Sequence, residues 1–294
     1  MTTVITGATG KFGRLTIEAL LDRGAQPDRL VATTRAAFTA EAQDLRARGV
    51  EVREADFADP ASLDAAFAGA ESVLIVSTTD LGPRVENHRR ALEAAGRAGV
   101  GKIVYTSMIN ADAAANVLAR THLQTEQDLR SSGLPFVILR NGWYLENFTE
   151  QIPTIAVHGA LLGAGADGRV SAATRRDLAE AAAAVLTTDG ALNTTYELAG
   201  EAFTLTEFTR TVGDCLERPI AYRDLSHNDY TAALVAAGLP TDFAAVLADS
   251  DAGLARGELF SDSTDLATLI GRRPTSKQEA VRTAVSSLHC ANRS

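Results

Sequence analysis

Residues 7–13 read Gly-Ala-Thr-Gly-Lys-Phe-Gly, with a strand-like VIT run before them and a helix-like RLTIEAL run after them. Glycines at every third position suit a phosphate cradle. Gly7 allows a tight turn out of the strand, Gly10 lets backbone come close to a pyrophosphate, and Gly13 lets the helix lie against the sheet. The helix start then offers unpaired N–H groups and the positive end of its dipole to an anion. A strand before and a helix after are the context a dinucleotide loop requires, so Gly7, Ala8, Thr9, Gly10, Lys11, Phe12 and Gly13 are expected to carry a dinucleotide.

Further along, the run RLVATT ends at Thr33-Thr34-Arg35, and no acid follows before Glu41. An acid at that place accepts hydrogen bonds from ribose hydroxyls and repels a 2′-phosphate. A guanidinium grips the phosphate instead, so Arg35 is expected to favour NADPH over NADH. Asp56 closes the run VEVREAD, where its carboxylate can meet an adenine amino group. Ser77, Thr78 and Thr79 close SVLIVS, where small side chains let a cofactor pass close to the backbone.

The elements that must position these groups are legible as short, β-branched runs at 2–6, 29–34, 50–55, 72–77, 102–107 and 135–140. Helix-like stretches lie between most of them: after Gly13, at ASLDAAFAG, at HRRALEAAGRAG (88–99) and at HLQTEQDLRSSG (122–133), the last two closing on a glycine. Alternation of this kind predicts an α/β fold, a Rossmann-type doubly wound parallel sheet over residues 1–141. Residues 142–294 predict a smaller, mostly helical lobe, partly interleaved with the first and laid over the carboxyl ends of the strands, where ligands bind. The glycines from Gly159 to Gly168 would permit that lobe to move.

The chain's formal charge of −9 and pI near 5.1 disfavour nucleic acid or an anionic membrane as the main partner. Cys215 and Cys290 lie in no CxxC and near no histidine cluster, so no metal site or disulfide framework is expected. With a strand starting at residue 4 and no long apolar run, a cytoplasmic location is expected, and the sequons at Asn147 and Asn193 are idle.

GATGKFG, READF, IVSTT, YTS and LRNGWYLENF together resemble the NmrA-like branch of the atypical short-chain dehydrogenase/reductases. SAATRRDLAEAAAAVL, YELAG and LADSDAGLARGELFSDS are similar to the NADPH-dependent type 2 quinone oxidoreductases, a bacterial group close to the triphenylmethane dye reductases. The resemblance implies that Asn141, Gly142, Trp143, Tyr144, Leu145 and Glu146 meet the nicotinamide half of the cofactor, and that Trp143, Tyr144 and Asn147 line the acceptor pocket. Trp143 and Tyr144 could equally pack the joint between sheet and lobe.

One departure bears on mechanism. Where the wider superfamily carries Tyr-xxx-Lys on the helix after the fifth strand, this chain offers Leu118-xxx-His122 or His122-xxx-Glu126. A strong proton donor for a simple ketone is therefore missing. A quinone escapes that need because hydride addition leaves an anion stabilised by its own ring, and a cationic triarylmethyl dye is simply neutralised. Direct hydride transfer from NADPH without a flavin is expected, with His122 as a mild proton donor. A non-catalytic NADP(H) sensor of the NmrA type, or a reductase of a dedicated biosynthetic intermediate, fits the same motifs. His88 reads as a surface residue at a helix start, Arg140 as a structural ion pair or backbone anchor, and the acidic stretch 247–253 as a solvated helix end.

Overall fold

The computed structural model describes residues 1–80 and 82–291. In chain order the elements are β1 (Thr3–Ile5), α1 (Lys11–Asp22), β2 (Leu30–Thr34), α2 (Ala40–Ala47), β3 (Glu51–Glu54), α3 (Pro60–Phe67), β4 (Ser72–Ile75), α4 (Arg84–Arg97), β5 (Lys102–Met108), α5 (Val117–Ser131) and β6 (Phe136–Asn141). They continue with α6 (Glu146–Thr149), α7 (Ile152–His158), β7 (Ala160–Gly163), β8 (Arg169–Ser171), α8 (Arg175–Thr187), β9 (Thr194–Leu198), β10 (Ala202–Thr204), α9 (Leu205–Leu216) and β11 (Ala221–Asp224). The last four are α10 (His227–Ala236), α11 (Thr241–Ala255), α12 (Asp265–Ile270) and α13 (Lys277–Ala291).

The Rossmann-type, doubly wound sheet is present, with strand order β3-β2-β1-β4-β5-β6-β9 and every pairing parallel. β1, β2, β4, β5 and β6 are buried along their whole length, which is why they read as unbroken apolar runs: both faces are covered. One face packs under α1, α2, α8 and α12, the other under α3, α4 and α5. The chain runs from β1 outward to β3 and returns to β4 beside β1. That reversal opens a crevice at the carboxyl ends of β1 and β4.

A third core belongs to the lobe and gathers Leu145, Phe148, Phe203, Phe208, Leu254 and Val281. Small sheets, β8 with β10 and β7 with β11, carry it. The interleaving is deep. β9 is the seventh strand of the main sheet, and α8 packs along α1 through Ala179, Ala181, Ala182 and Ala183, all fully buried. Residues 175–198 therefore complete the nucleotide layer, although they follow the expected boundary at 141.

Two readings need correction. α2 stands where no helix was expected; its Thr39 cap accepts from Ala42 N–H at 3.3 Å and Leu45 anchors it in the core. Residues 247–253 are interior turns of α11, with Ala248 and Ser250 buried, because small side chains let this helix pack tightly. Asp249 Oδ2 there accepts from Val117 N–H at 2.8 Å, and Asp251 Oδ2 from Ala164 N–H at 3.0 Å.

Candidate cofactor and acceptor site

The glycine loop has the expected build. Gly7 has φ of +58°, which favours glycine, and Gly10 N–H closes the turn onto the Gly7 carbonyl at 3.0 Å. A Cβ on Gly13 would stand 2.8 Å from Ala8 Cα, so the third glycine is required by the approach of helix to loop. Most other long helices carry a side-chain cap, such as Asn116 on α5 and the Thr204–Glu207 capping box on α9. α1 is capped by Gly10 alone, leaving its first N–H groups free for an anion. Ala8 and Phe12 are buried, Thr9 Oγ1 meets Thr34 Oγ1 at 3.0 Å, and Lys11 Nζ reaches Glu150 at 2.8 Å.

At the β2 tip Arg35 is exposed and, among the described residues, takes part in no ion pair. Asp56 lies two residues past β3; its Oδ1 accepts from Ala58 N–H at 2.8 Å. Ser77–Thr79 follow β4 as a loop, half-buried at Ser77 and Thr78 and exposed at Thr79. Ser77 N–H donates to Thr106 Oγ1 at 2.8 Å.

At the other end Asn141 is the last residue of β6. Its Oδ1 and Nδ2 are both buried and make no well-formed hydrogen bond among the described residues, although the Tyr144 hydroxyl lies close enough to interact, an exceptional state for an amide. Gly142 is wedged between strands: a Cβ would lie 2.8 Å from the Leu198 carbonyl and closer still to that of Ser171. The Tyr144 ring stacks on Phe12, centroids 6.2 Å apart, and the Arg175 guanidinium lies over it at 4.9 Å. Leu145 is buried in the lobe core, and both Glu146 oxygens accept from Arg175 N–H at 2.9 and 3.0 Å, so these two hold the loop in place. Asn147 Oδ1 accepts from Arg175 Nη2 at 3.1 Å. Trp143 is half-buried against the lobe core.

His122 and His88 form a network behind this site. Thr78 N–H donates to His88 Nε2 at 3.1 Å, so His88 carries its proton on Nδ1 and gives it to Thr125 Oγ1 at 3.0 Å. His88 is fully buried, which corrects its reading as a surface residue: α4 begins at Arg84, one turn earlier than expected, and turns His88 inward. Arg84 Nη1 donates to His122 Nε2 at 3.0 Å, so His122 Nδ1–H donates to Tyr105 Oη at 2.8 Å. Burial, reinforced by Arg84, pushes His88 down to about 3 and holds His122 well below the usual imidazole range. Both nitrogens of each ring are engaged, and burial disfavours the imidazolium form that a mild acid at His122 would use. Burial also raises the phenols of Tyr105 and Tyr144. Arg84 and Tyr105 were not foreseen; an arginine just after Gly82-Pro83, at the carboxyl end of β4, was the available signal.

Free N–H groups at a glycine cradle and a buried amide with no well-formed hydrogen bond suit the diphosphate and carboxamide of a nicotinamide dinucleotide. The chain belongs to the NAD(P)H-binding family, whose sequence profile matches residues 7–189. Over 278 residues it is 42% identical to quinone oxidoreductase 2 of Escherichia coli strain K12, covering 94% of this chain and 96% of that protein. In structure it is similar to the Escherichia coli NADPH-dependent quinone oxidoreductase solved with NADPH, with a TM-score of 0.93, 41% identity and coverage of 98% of this chain and 100% of that one. It is also similar to the Citrobacter sp. triphenylmethane reductase solved with NADP(H): TM-score 0.90, 33% identity, 96% of this chain and 100% of that one.

Proposed function

We propose that the chain is an NADPH-dependent oxidoreductase passing hydride directly to a quinone or a similarly flat, conjugated acceptor. The buried amide of Asn141, in a site that has no Tyr/Lys couple and holds His122 between Arg84 and Tyr105, carries this reading. Bound NADPH supplies the hydride, and the chain's own side chains position and shield the reactants. The Gly7–Gly13 loop and the start of α1 hold the diphosphate, Arg35 takes the 2′-phosphate, and Asn141 fixes the carboxamide. Tyr144, stacked between Phe12 and Arg175, closes the loop over the cradle, and Trp143 gives the acceptor an apolar flank.

No member of the site is poised to protonate a simple ketone, which favours acceptors that leave a stabilised anion. The acidic surface favours a small-molecule partner in the cytoplasm over nucleic acid or a membrane; no helix among the described residues is long and apolar enough to cross a bilayer. Following NADPH by its near-ultraviolet absorbance with benzoquinone or methyl-substituted quinones tests the reading. Turnover is expected, whereas NADPH binding with no turnover on any such acceptor would leave a dinucleotide sensor.

A further inference from the structure

Arg84 is buried, 6% exposed, and no carboxylate among the described residues pairs with it. Of its five N–H donors, one reaches His122 and Nε has no partner among the described residues. A lone cation kept from water in this way is unfavourable unless something negative joins it. Its surroundings show where that charge arrives. Arg84 opens α4 at the carboxyl end of β4; His122 and Tyr105 come from β5 and the helix after it; Tyr144 comes from the loop after β6, next to the Asn141 amide. Arg84 Nη1 touches His122, and the other ionisable groups that act on the guanidinium are Tyr105, Tyr144 and Asp80, the last in the exposed loop after β4, while burial disfavours charge on His88 and His122.

We propose that Arg84 is an acceptor-recognition residue: a fixed cation aimed at the oxygen on which negative charge develops, selecting acceptors that become anions. This rests on the hydride-transfer reading above. The quinone gains a hydride, two electrons with one proton, and becomes a hydroquinone monoanion; the dihydronicotinamide is oxidised to its pyridinium, and the second proton comes later from water. The guanidinium stabilises the monoanion's oxygen, and the His122–Tyr105 pair holds the guanidinium in place without neutralising it. A preorganised charge in a dry site is worth far more than in water. For a triarylmethyl cation the same charge is repulsive, because that acceptor enters positive and leaves neutral.

Two measurements test this. Arg84→Met in the NADPH-loaded protein is expected to lower kcat for benzoquinone on the order of a hundredfold, the size seen when one oxyanion donor is removed. Turnover of a cationic triarylmethyl dye is expected to stay level or rise. Parallel loss on both acceptors, or a raised KM for NADPH with an unchanged ratio between them, overturns the proposal by making Arg84 structural or a cofactor ligand. The second measurement needs no variant: 4-nitrophenol added to the NADP⁺ complex of the natural protein mimics the monoanion. It is expected to bind as the yellow phenolate at pH values where the free compound is mostly neutral. Binding only as the neutral phenol, or none, overturns the proposal. Failure of NADPH oxidation with quinones would instead sink the functional reading itself, and phenolate capture is read independently of turnover.

Discussion

Arg84 and Arg140 are equally buried, each 6% exposed, yet their surroundings are opposite. Arg140 grips Glu126 with two parallel bonds of 2.9 and 2.8 Å and adds Glu197 at 2.9 Å and Asp112 at 2.8 Å. These contacts tie β6 to α5, β9 and the segment after β5, and they hold the Arg140 guanidinium firmly charged, above its usual range. Arg84 forms no ion pair among the described residues, and burial, only partly opposed by Tyr105, Tyr144 and Asp80, pulls its guanidinium below that range. The difference separates two uses of a buried cation. At Arg140 charge is balanced inside the protein and stitches elements together; at Arg84 the balance is left for a ligand to complete.

Truncating each arginine should expose the contrast. Arg140→Met leaves the fully buried Glu126 with the exposed Arg130 as its one remaining ion pair and with the Ser107 hydroxyl, which donates to its Oε1 at 2.6 Å. Breaking a buried pair from one side costs about 3–5 kcal/mol, expected as a lower denaturant midpoint with unchanged slope. Arg84→Met removes an uncompensated charge and leaves one imidazole nitrogen unsatisfied, opposing effects of similar size, so its midpoint should move by about 1 kcal/mol or less. Equal losses in the two variants would mean that Arg84 is as structural as Arg140.

Asp251 is the acidic counterpart of Arg84: half-buried, bonded to Ala164 N–H, and in no ion pair among the described residues. Burial, with Asp224 nearby, pushes its carboxyl up to about 6. Its folded value lies above its unfolded value, near 3.9, so the folded state holds the proton longer. This group's contribution is present in full below about pH 4 and is lost as pH rises through about 6. Asp251→Asn should therefore stabilise the protein at pH 7 by about 2–3 kcal/mol and leave it unchanged near pH 4. The buried histidines shift stability in the opposite sense, gaining as pH rises toward about 6.5 and level above it. Subtracting the natural protein's midpoint at each pH isolates the aspartate, and a difference that does not grow between pH 4 and 7 would show that Asp251 titrates normally.

How far the sequence carried the reading follows the same division. The sheet was legible because strands buried on both faces must be unbroken apolar runs, and the glycine loop because φ of +58° at Gly7 and the contact at Gly13 admit little else. Arg140 was legible as an ion-pair anchor. Its partners were not, since Glu197 lies 57 residues away and joins only when β9 pairs with β6. His88 and Arg84 were hidden for a different reason. In the sequence Asn87-His88-Arg89-Arg90 reads as a polar surface, and only the placement of α4, one turn earlier than its apolar pattern suggests, sends Arg84 and His88 inward.

Arg35 sharpens the comparison from outside, being a cation exposed to water and in no ion pair among the described residues. A 2′-phosphate joining it gains a charge-assisted contact of about 1.5–3 kcal/mol, roughly a tenfold to hundredfold preference for NADPH over NADH. Arg35→Ala should remove that preference while leaving turnover at saturating NADPH and the unfolding midpoint in place. Because water and salt screen an exposed pair, the NADPH preference should also shrink as ionic strength rises, whereas the quinone-to-dye ratio set at the buried Arg84 should hardly respond. An NADPH-to-NADH efficiency ratio unmoved by Arg35→Ala would place the 2′-phosphate on another group.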